Sequence, residues 1–315
     1  MSVKSVRQQF ADTMFEVGAL DEKLVVVVGD ISHGILQPFA KKYIDRYYNI
    51  GICEPAMMSL GAGLSKSGLT PVIHTIAPFI LERSFEQLKL DFCYQQISGN
   101  IVTVGSAFDY ANLGSTHHCY SDFALIKALP FAAGYVPGSA LEFDVLFKST
   151  YKNFALNIFR IPNFPHEIEL DPKDVIPGKG IKVIEGSDIT LIAVGAQLSS
   201  AFGAREKLLT KGISAEIIYL PTVQPMDTNL IKSSLQKTKL AVVVEEHMEN
   251  GGVNEDVMRI ALDIGECLIE SVSIPNQFLT LYGSYHEHCE EFGLTADGVA
   301  TRAELALRRS KIRKA

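Results

Sequence analysis

The chain has 315 residues, 47% of them hydrophobic and 21% charged, which is typical of a soluble globular protein with room for two domains. The formal net charge is −7 and the basic residues are scattered, so we expect no nucleic-acid partner. The five cysteines lack metal-type spacing and the first residues do not resemble a signal sequence, so we expect a cytoplasmic protein. The apolar runs have strand length, so we expect no membrane partner.

The first half of the chain alternates strand-like apolar runs with helical stretches. The strand-like runs are residues 24–28, 47–52, 71–74, 100–104 and 155–159. This alternation is typical of a parallel sheet with helices on both faces. We therefore predict a doubly wound α/β domain over residues 1–165.

A change of composition separates the first half from the second. Residues 166–182 predict a linker, because they combine several prolines and glycines with acidic residues. Beyond them, strand-like runs at 189–194, 215–219 and 240–244 alternate with helical stretches such as 201–209. We predict a second α/β domain over residues 183–315, again with a mainly parallel sheet covered by helices.

Glu54 is the first candidate functional residue. It follows the apolar run 47–52 and precedes a stretch in which Met57, Leu60 and Leu64 recur at helical spacing. Ligands of open α/β sheets bind at the carboxyl ends of the strands, where this acid would lie. The alternative is an ordinary acid in the first turn of a helix, stabilised by the helix dipole.

Motifs along nearly the whole chain resemble the transketolase superfamily of thiamine-diphosphate enzymes. The first half is similar to the pyrimidine-binding domain of that family, and the second half resembles its carboxy-terminal domain. The matching segments are 25–30 (VVVVGD), 39–54 (FAKKYIDRYYNIGICE), 61–64 (GAGL), 114–117 (GSTH), 186–195 (GSDITLIAVG), 220–227 (LPTVQPMD) and 244–247 (VEEH).

The resemblance implies a site for the aminopyrimidine ring of thiamine diphosphate. In the family, the acid at the position of Glu54 hydrogen-bonds a ring nitrogen and favours the imino tautomer, which removes the thiazolium proton. Burial beside Met57 and Ile76 would keep this acid partly protonated, and Ile76 is also expected to contact the cofactor. Phe79 corresponds to an aromatic residue that stacks on the ring, although alignment from the following motif places Ile80 there. An ordinary core phenylalanine is the alternative for Phe79.

The resemblance also implies residues that face the substrate. His117 matches a histidine that reaches the reacting sugar, and an imidazole can exchange a proton near neutral pH. Arg160 matches arginines that bind a sugar phosphate, which a guanidinium suits. His33 is a third candidate. The alternatives are a loop histidine for His117 and a surface arginine for Arg160. Residues 109–114 (DYANLG) differ from the acidic, glycine-rich motif of the family, so we expect a specialised acceptor pocket.

A missing motif predicts a partner. Full-length relatives carry a domain that begins with Gly-Asp-Gly and binds Mg²⁺ and the diphosphate, whereas here Gly29 and Asp30 are followed by Ile31. We expect no metal site in this chain and an amino-terminal transketolase-like subunit that binds both groups, in an α2β2 assembly.

The implied reaction is transfer of a two-carbon ketol unit between sugars or sugar phosphates. Two alternatives are the beta subunit of a 2-oxo acid dehydrogenase and a non-catalytic assembly or regulatory subunit. Thr116 and His117 favour the transketolase branch, and Glu54 argues against a non-catalytic subunit.

Overall fold

The structure is a computed structural model that describes residues 4–314, with side chains through residue 310. In this part of the chain the strands are β1 (Leu24–Val28), β2 (Tyr47–Asn49), β3 (Thr70–Ile76), β4 (Gly99–Val104), β5 (Ala132–Tyr135), β6 (Leu156–Arg160), β7 (Ile181–Ile184), β8 (Ile189–Val194), β9 (Ala215–Leu220), β10 (Thr222–Gln224), β11 (Leu240–Met248) and β12 (Leu268–Ile274).

The helices of the same part are α1 (Val6–Leu20), α2 (Gln37–Lys42), α3 (Glu54–Lys66), α4 (Ala77–Leu81), α5 (Phe85–Gln87), α6 (Asp122–Lys127), α7 (Ala140–Thr150), α8 (Leu198–Leu209), α9 (Thr228–Thr238), α10 (Val253–Ile264), α11 (Tyr285–Glu291) and α12 (Ala296–Lys314). The short helix α5 continues into wider π-helical turns over Leu88–Tyr94. None of these helices is both long enough and apolar enough to cross a membrane.

The first sheet has the strand order β10-β5-β6-β4-β3-β1-β2, and all its pairings are parallel except β10 with β5. Successive residues of a strand point to opposite faces, and the valine run of β1 serves both faces. Val26 and Val28 belong to the core formed with Phe10 of α1. Val25 and Val27 pack in the core that contains Met57 of α3. A strand buried on both faces explains why β1 is uniformly apolar.

The second sheet has the order β12-β11-β8-β9-β7, with β7 antiparallel at one edge. Leu191 of β8 faces the core that includes Ala204 of α8. Ile192 faces the opposite core, where Val257 of α10 packs. The predicted fold class, two doubly wound α/β domains with mainly parallel sheets, is confirmed.

The two halves are more closely joined than the predicted linker suggests. β7 begins at Ile181, within the last residues of segment 166–182, and His166 at its start is buried with Nε2 2.8 Å from Glu142. β10 comes from the second half but pairs with β5 of the first sheet. The side chain of Gln224 donates to the carbonyl oxygens of Leu129 and Ala132 at 3.0 and 2.7 Å. These contacts join segment 166–182 and β10 to the first half of the chain.

Candidate active site

A cavity of about 750 Å³ lies at the carboxyl ends of β1, β2 and β3. Its walls come from the loop after β1, the segment that leads into α3, the junction of β3 with α4, and the start of α1. This is the sheet edge at which parallel α/β proteins bind ligands. Four predicted site residues line the cavity: His33, Glu54, Ile76 and Phe79.

The carboxyl group of Glu54 has two oxygens in different surroundings. Glu54 is the first residue of α3 and is only 1% exposed. Its Oε2 accepts a hydrogen bond from Nη1 of Arg83 at 2.9 Å. Its Oε1 is buried and has no hydrogen-bond partner among the described residues. A buried acceptor without a partner is unfavourable, so Oε1 is suited to a ligand that donates a hydrogen bond.

Phe79 and Ile80 have different environments, which distinguishes the two candidates for the residue that contacts a ligand ring. Phe79 is partly buried and lines the cavity, whereas Ile80 is fully buried in the core. The ring of Phe79 meets the ring of His117 edge-on, with centroids 5.3 Å apart. The geometry therefore favours Phe79 over Ile80 as the residue that contacts a ligand.

His117 lies beside the cavity, on the loop between β4 and α6. It is partly buried, its Nδ1 is 2.9 Å from Oγ1 of Thr116, and it reaches the cavity wall through Phe79. The neighbouring His118 does not line the cavity, and its ring centre lies 5.7 Å from that of His288. Burial lowers the pKa of His118 to about 4. The two adjacent histidines thus lie in different environments, and only His117 is near the cavity.

A buried acid anchors the loop that carries His117. Oδ2 of Asp109 accepts backbone hydrogen bonds from Ser106 and Asn163 at 2.9 and 3.0 Å. Burial raises the pKa of Asp109 to about 8, and the charge of Glu246 acts in the same direction. Segment 109–114, where the sequence differs from the motif of the family it resembles, is therefore built around a fixed polar anchor.

Arg7 is a cavity residue that the sequence did not reveal. Its Nε donates to Oγ of Ser32 at 2.7 Å, and Oγ of Ser32 lies 2.7 Å from Nε2 of His74. Nδ1 of His74 is 2.8 Å from the carbonyl oxygen of Val102. Burial lowers the pKa of His74 to about 3, so the neutral ring donates from Nδ1 and accepts the Ser32 hydroxyl at Nε2. This chain of bonds fixes a guanidinium in the cavity wall.

His33 is exposed at the cavity wall. Its Nδ1 lies 3.1 Å from the hydroxyl of Tyr47, and its Nε2 lies 3.0 Å from the side-chain nitrogen of Gln37. Burial and the charge of Asp30 both raise the pKa of Tyr47. His33 is therefore held by neighbours at the mouth of the cavity.

Arg160 does not line the cavity. It is buried between the two halves, with Nε 2.7 Å from Oδ2 of Asp122 and Nη2 donating to the carbonyl oxygen of Glu246 at 2.8 Å. Its guanidinium also lies 4.7 Å from the ring centre of Phe123. Arg160 therefore lies away from the cavity that contains Glu54, with its guanidinium paired to Asp122 and to the backbone of Glu246. The side chain is only 4% exposed, so Arg160 is not a surface arginine.

The described residues contain no group of three or more His, Cys, Asp or Glu side chains that could hold a metal ion. The ionisable residues at the cavity instead include the acid Glu54 and the cation Arg7. Sequence analysis did not identify Arg7 and Arg83 as site residues, because both are distant along the chain from Glu54. A weak signal existed for Arg83, which follows Phe79 by about one helical turn.

Comparison with known proteins identifies the two halves separately. Residues 2–162 match the transketolase pyrimidine binding domain, and residues 178–299 match the transketolase C-terminal domain. One of the subunits of apulose-4-phosphate transketolase from Phocaeicola vulgatus is 29% identical over 94% of this chain and 96% of that protein. The 1-deoxy-D-xylulose-5-phosphate synthase of Heliobacterium modesticaldum is 30% identical over 95% of this chain, which spans 47% of that enzyme.

A solved structure gives the same result at the level of the fold. It is described as a split gene transketolase in an inactive beta4 tetramer, and it superposes with a TM-score of 0.88 at 26% identity. The match covers 98% of this chain and 99% of that one. The sequence motifs, the two sheets and both domain matches agree, and the chain belongs to the transketolase family.

Proposed function

We propose that this chain is the beta-type subunit of a split transketolase, which transfers a two-carbon ketol unit between sugars or sugar phosphates together with a partner subunit. The observation that carries the proposal is the cavity in which the buried acid Glu54 and the ring of Phe79 meet. The family membership of both halves supports this function.

The cavity residues fit the aminopyrimidine half of thiamine diphosphate. The free Oε1 of Glu54 offers a hydrogen-bond partner for a ring nitrogen, while Phe79 and Ile76 offer aromatic and aliphatic surface for a flat ring. When bound, thiamine diphosphate supplies a nucleophilic carbon at its thiazolium ring. The role of Glu54 is to share a proton between Oε1 and the ring nitrogen, so that Oε1 accepts a hydrogen bond when the nitrogen carries the proton.

Two groups near the cavity are suited to a sugar substrate. His117 is assigned to proton exchange with a sugar hydroxyl or carbonyl, since it lies next to Phe79 at the edge of the cavity. Arg7 takes the phosphate-binding role first expected of Arg160, because its fixed guanidinium belongs to the cavity wall. His33 is assigned to the outer part of the same pocket.

A partner subunit is proposed to bind Mg²⁺ and the diphosphate, within an α2β2 assembly. A relative that matches this chain over nearly its whole length is named as one subunit of a transketolase, and the solved beta4 tetramer is described as inactive. Both descriptions support a chain that requires a second kind of subunit. The 2-oxo acid dehydrogenase alternative has no comparable support from these relatives.

Reconstitution tests the proposal. The purified chain is combined with an amino-terminal transketolase-like subunit, Mg²⁺ and thiamine diphosphate, and a panel of ketose donors and aldose acceptors is assayed for chain-length exchange. We expect product from the combined subunits and none from either alone. A complex that binds the cofactor but decarboxylates 2-oxo acids and exchanges no ketol unit would contradict the proposal.

A further inference from the structure

One guanidinium contacts both residues that the proposed cofactor site depends on. Nη1 of Arg83 donates to Oε2 of Glu54 at 2.9 Å, and the guanidinium carbon lies 4.2 Å from the ring centre of Phe79. These two residues are far apart along the chain, and Arg83 follows the helix that carries Phe79. Arg83 therefore connects the acid at the start of α3 to the aromatic ring of α4.

The position of Arg83 leaves the cavity open. Glu54 and Phe79 line the cavity, whereas Arg83 is not among the described residues that do so. Arg83 engages Oε2 of the carboxyl group and leaves Oε1 free of any described partner. A residue that blocked the site would fill the cavity or engage both oxygens. The geometry instead resembles a clamp that holds the acid and the ring while their ligand-facing sides stay available.

The chemistry of arginine suits this double contact. A planar guanidinium donates hydrogen bonds in its own plane and stacks through its faces, so one group can pair with a carboxylate and lie over an aromatic ring. A lysine ammonium is a point charge without that planar face. The carboxyl side chain of Glu54 is 2% exposed, whereas that of Arg83 is 48% exposed. The buried acid therefore relies on a partner that reaches in from the surface.

We propose that Arg83 is a positioning residue that fixes Glu54 and Phe79 for the aminopyrimidine ring. This inference rests on the proposed function, because that function requires both residues at the cofactor. Arg83 itself takes no part in proton transfer. Its loss lets the carboxyl group and the ring move, so the cofactor binds less tightly and Glu54 meets the ring nitrogen less often.

The first test uses the isolated chain and is independent of cofactor and partner. Urea midpoints are measured for Arg83→Met, Glu54→Gln and the double variant. Methionine keeps an unbranched apolar side chain but lacks the charged guanidinium. We expect Arg83→Met to lower the midpoint in the wild-type background and to lower it less than half as much beside Glu54→Gln. Equal shifts in both backgrounds would overturn the coupling.

The second test uses the reconstituted complex. We expect Arg83→Met to weaken thiamine-diphosphate affinity about tenfold and to slow exchange of the thiazolium proton at saturating cofactor, while the KM for the sugar donor stays unchanged. Arg83→Lys should restore the urea midpoint but only part of the exchange rate, because it lacks the stacking plane. Unchanged cofactor affinity and exchange in Arg83→Met would overturn the proposal.

A matched control separates positioning from general loss of a surface arginine. Arg302 is 44% exposed and its Nη1 lies 3.4 Å from Glu270, whose side chain is 11% exposed, in the other domain. Arg302→Met should leave cofactor affinity and exchange at wild-type values. A complex that exchanges the thiazolium proton but transfers no ketol unit would count against the proposed function and not against Arg83, whose effect on exchange is still measurable.

Discussion

At the residue scale, the proposed chemistry depends on the different hydrogen bonding of the two carboxyl oxygens of Glu54. The oxygen Oε2 is satisfied by Arg83, while Oε1 has no described partner. Leaving a buried acceptor unsatisfied costs about 1–3 kcal/mol. A ligand that donates a hydrogen bond to Oε1 removes this cost, so the folded chain is preorganised for a protonated ring nitrogen at that point.

Replacement of Glu54 by Gln tests the proton role directly. The amide keeps the size of the side chain but cannot hold an exchangeable acid proton at Oε1, so we expect turnover of the complex to fall by about 10² or more. Ketol transfer and exchange of the thiazolium proton, followed by NMR in deuterated water, should both slow. Size-exclusion chromatography should show unchanged assembly. Near-normal turnover would remove Glu54 from the mechanism.

His117 should affect a different step. It lies at the edge of the cavity against Phe79, and we assign it to the substrate rather than to the cofactor. The variant His117→Ala should slow ketol transfer strongly while the thiazolium proton exchanges at close to the wild-type rate. The comparison with Glu54→Gln, measured in the same complex, is the control. Equal impairment of exchange in both variants would show that His117 acts on the cofactor side.

At the element scale, the loop between β4 and α6 should respond to pH through Asp109. Its pKa is raised to about 8 in the folded chain, chiefly by burial, from an ordinary value of 3.8. Between these values the folded chain keeps a proton that the unfolded chain releases, so the contribution of Asp109 to stability falls as pH rises from about 4 to about 8. Below this window the contribution is fully present.

The substitution Asp109→Asn should remove this dependence. The free energy of unfolding of the wild type, minus that of the variant, is expected to decrease as pH rises across the window, as measured by urea unfolding at several pH values. Subtraction removes the effects of buried histidines such as His74, which act in both proteins. The exposed acid Asp45 provides a control, since Asp45→Asn should give curves parallel to the wild type. A constant difference for Asp109→Asn would contradict the assignment.

The elements also show which parts of the fold local sequence can predict. Buried strands such as β1 and β8 are continuous apolar runs, so their positions follow from the sequence. β5 has the weak strand sequence AAGY and forms because β6 and β10 flank it. β10 is three residues long, and its pairing joins two halves that local patterns treat as separate. Such strands depend on tertiary contacts, which override local propensity.

The candidate site likewise contains residues that local sequence predicts and residues that only tertiary contacts place there. Glu54, Ile76 and Phe79 could be proposed from motifs, because family motifs mark the junctions of strand and helix that form the cavity wall. Arg7 and Arg83 could not, since their proximity to the cavity is set by how distant segments pack. Arg160 lies at the end of β6, where its side chain turns to Asp122. The position of Arg160 at the end of β6 predicts the edge of the sheet at which it lies. It does not predict that Asp122 is its partner.

At the scale of the whole molecule, the contacts between the two halves bear on whether the chain can fold without a partner. The core that contains Phe10 of α1, beside the first sheet, continues to Leu191 of the second sheet. Gln224 and Arg160 add polar contacts between the halves. A chain packed in this way should fold without its partner, which makes its binding properties measurable in isolation.

The isolated chain should therefore be folded but should not bind thiamine diphosphate measurably. Its cavity offers contacts for the aminopyrimidine ring, whereas the described residues contain no metal cluster for a diphosphate-bound Mg²⁺. Charged phosphate groups contribute much of the affinity for such a ligand, and they need cations or backbone amides that the partner is proposed to supply. Calorimetric titration with cofactor and Mg²⁺ should show no saturable heat for the chain alone and clear saturation for the complex. Tight binding by the chain alone would mean that both halves of the cofactor site lie within this polypeptide, and the shared-site proposal would be wrong.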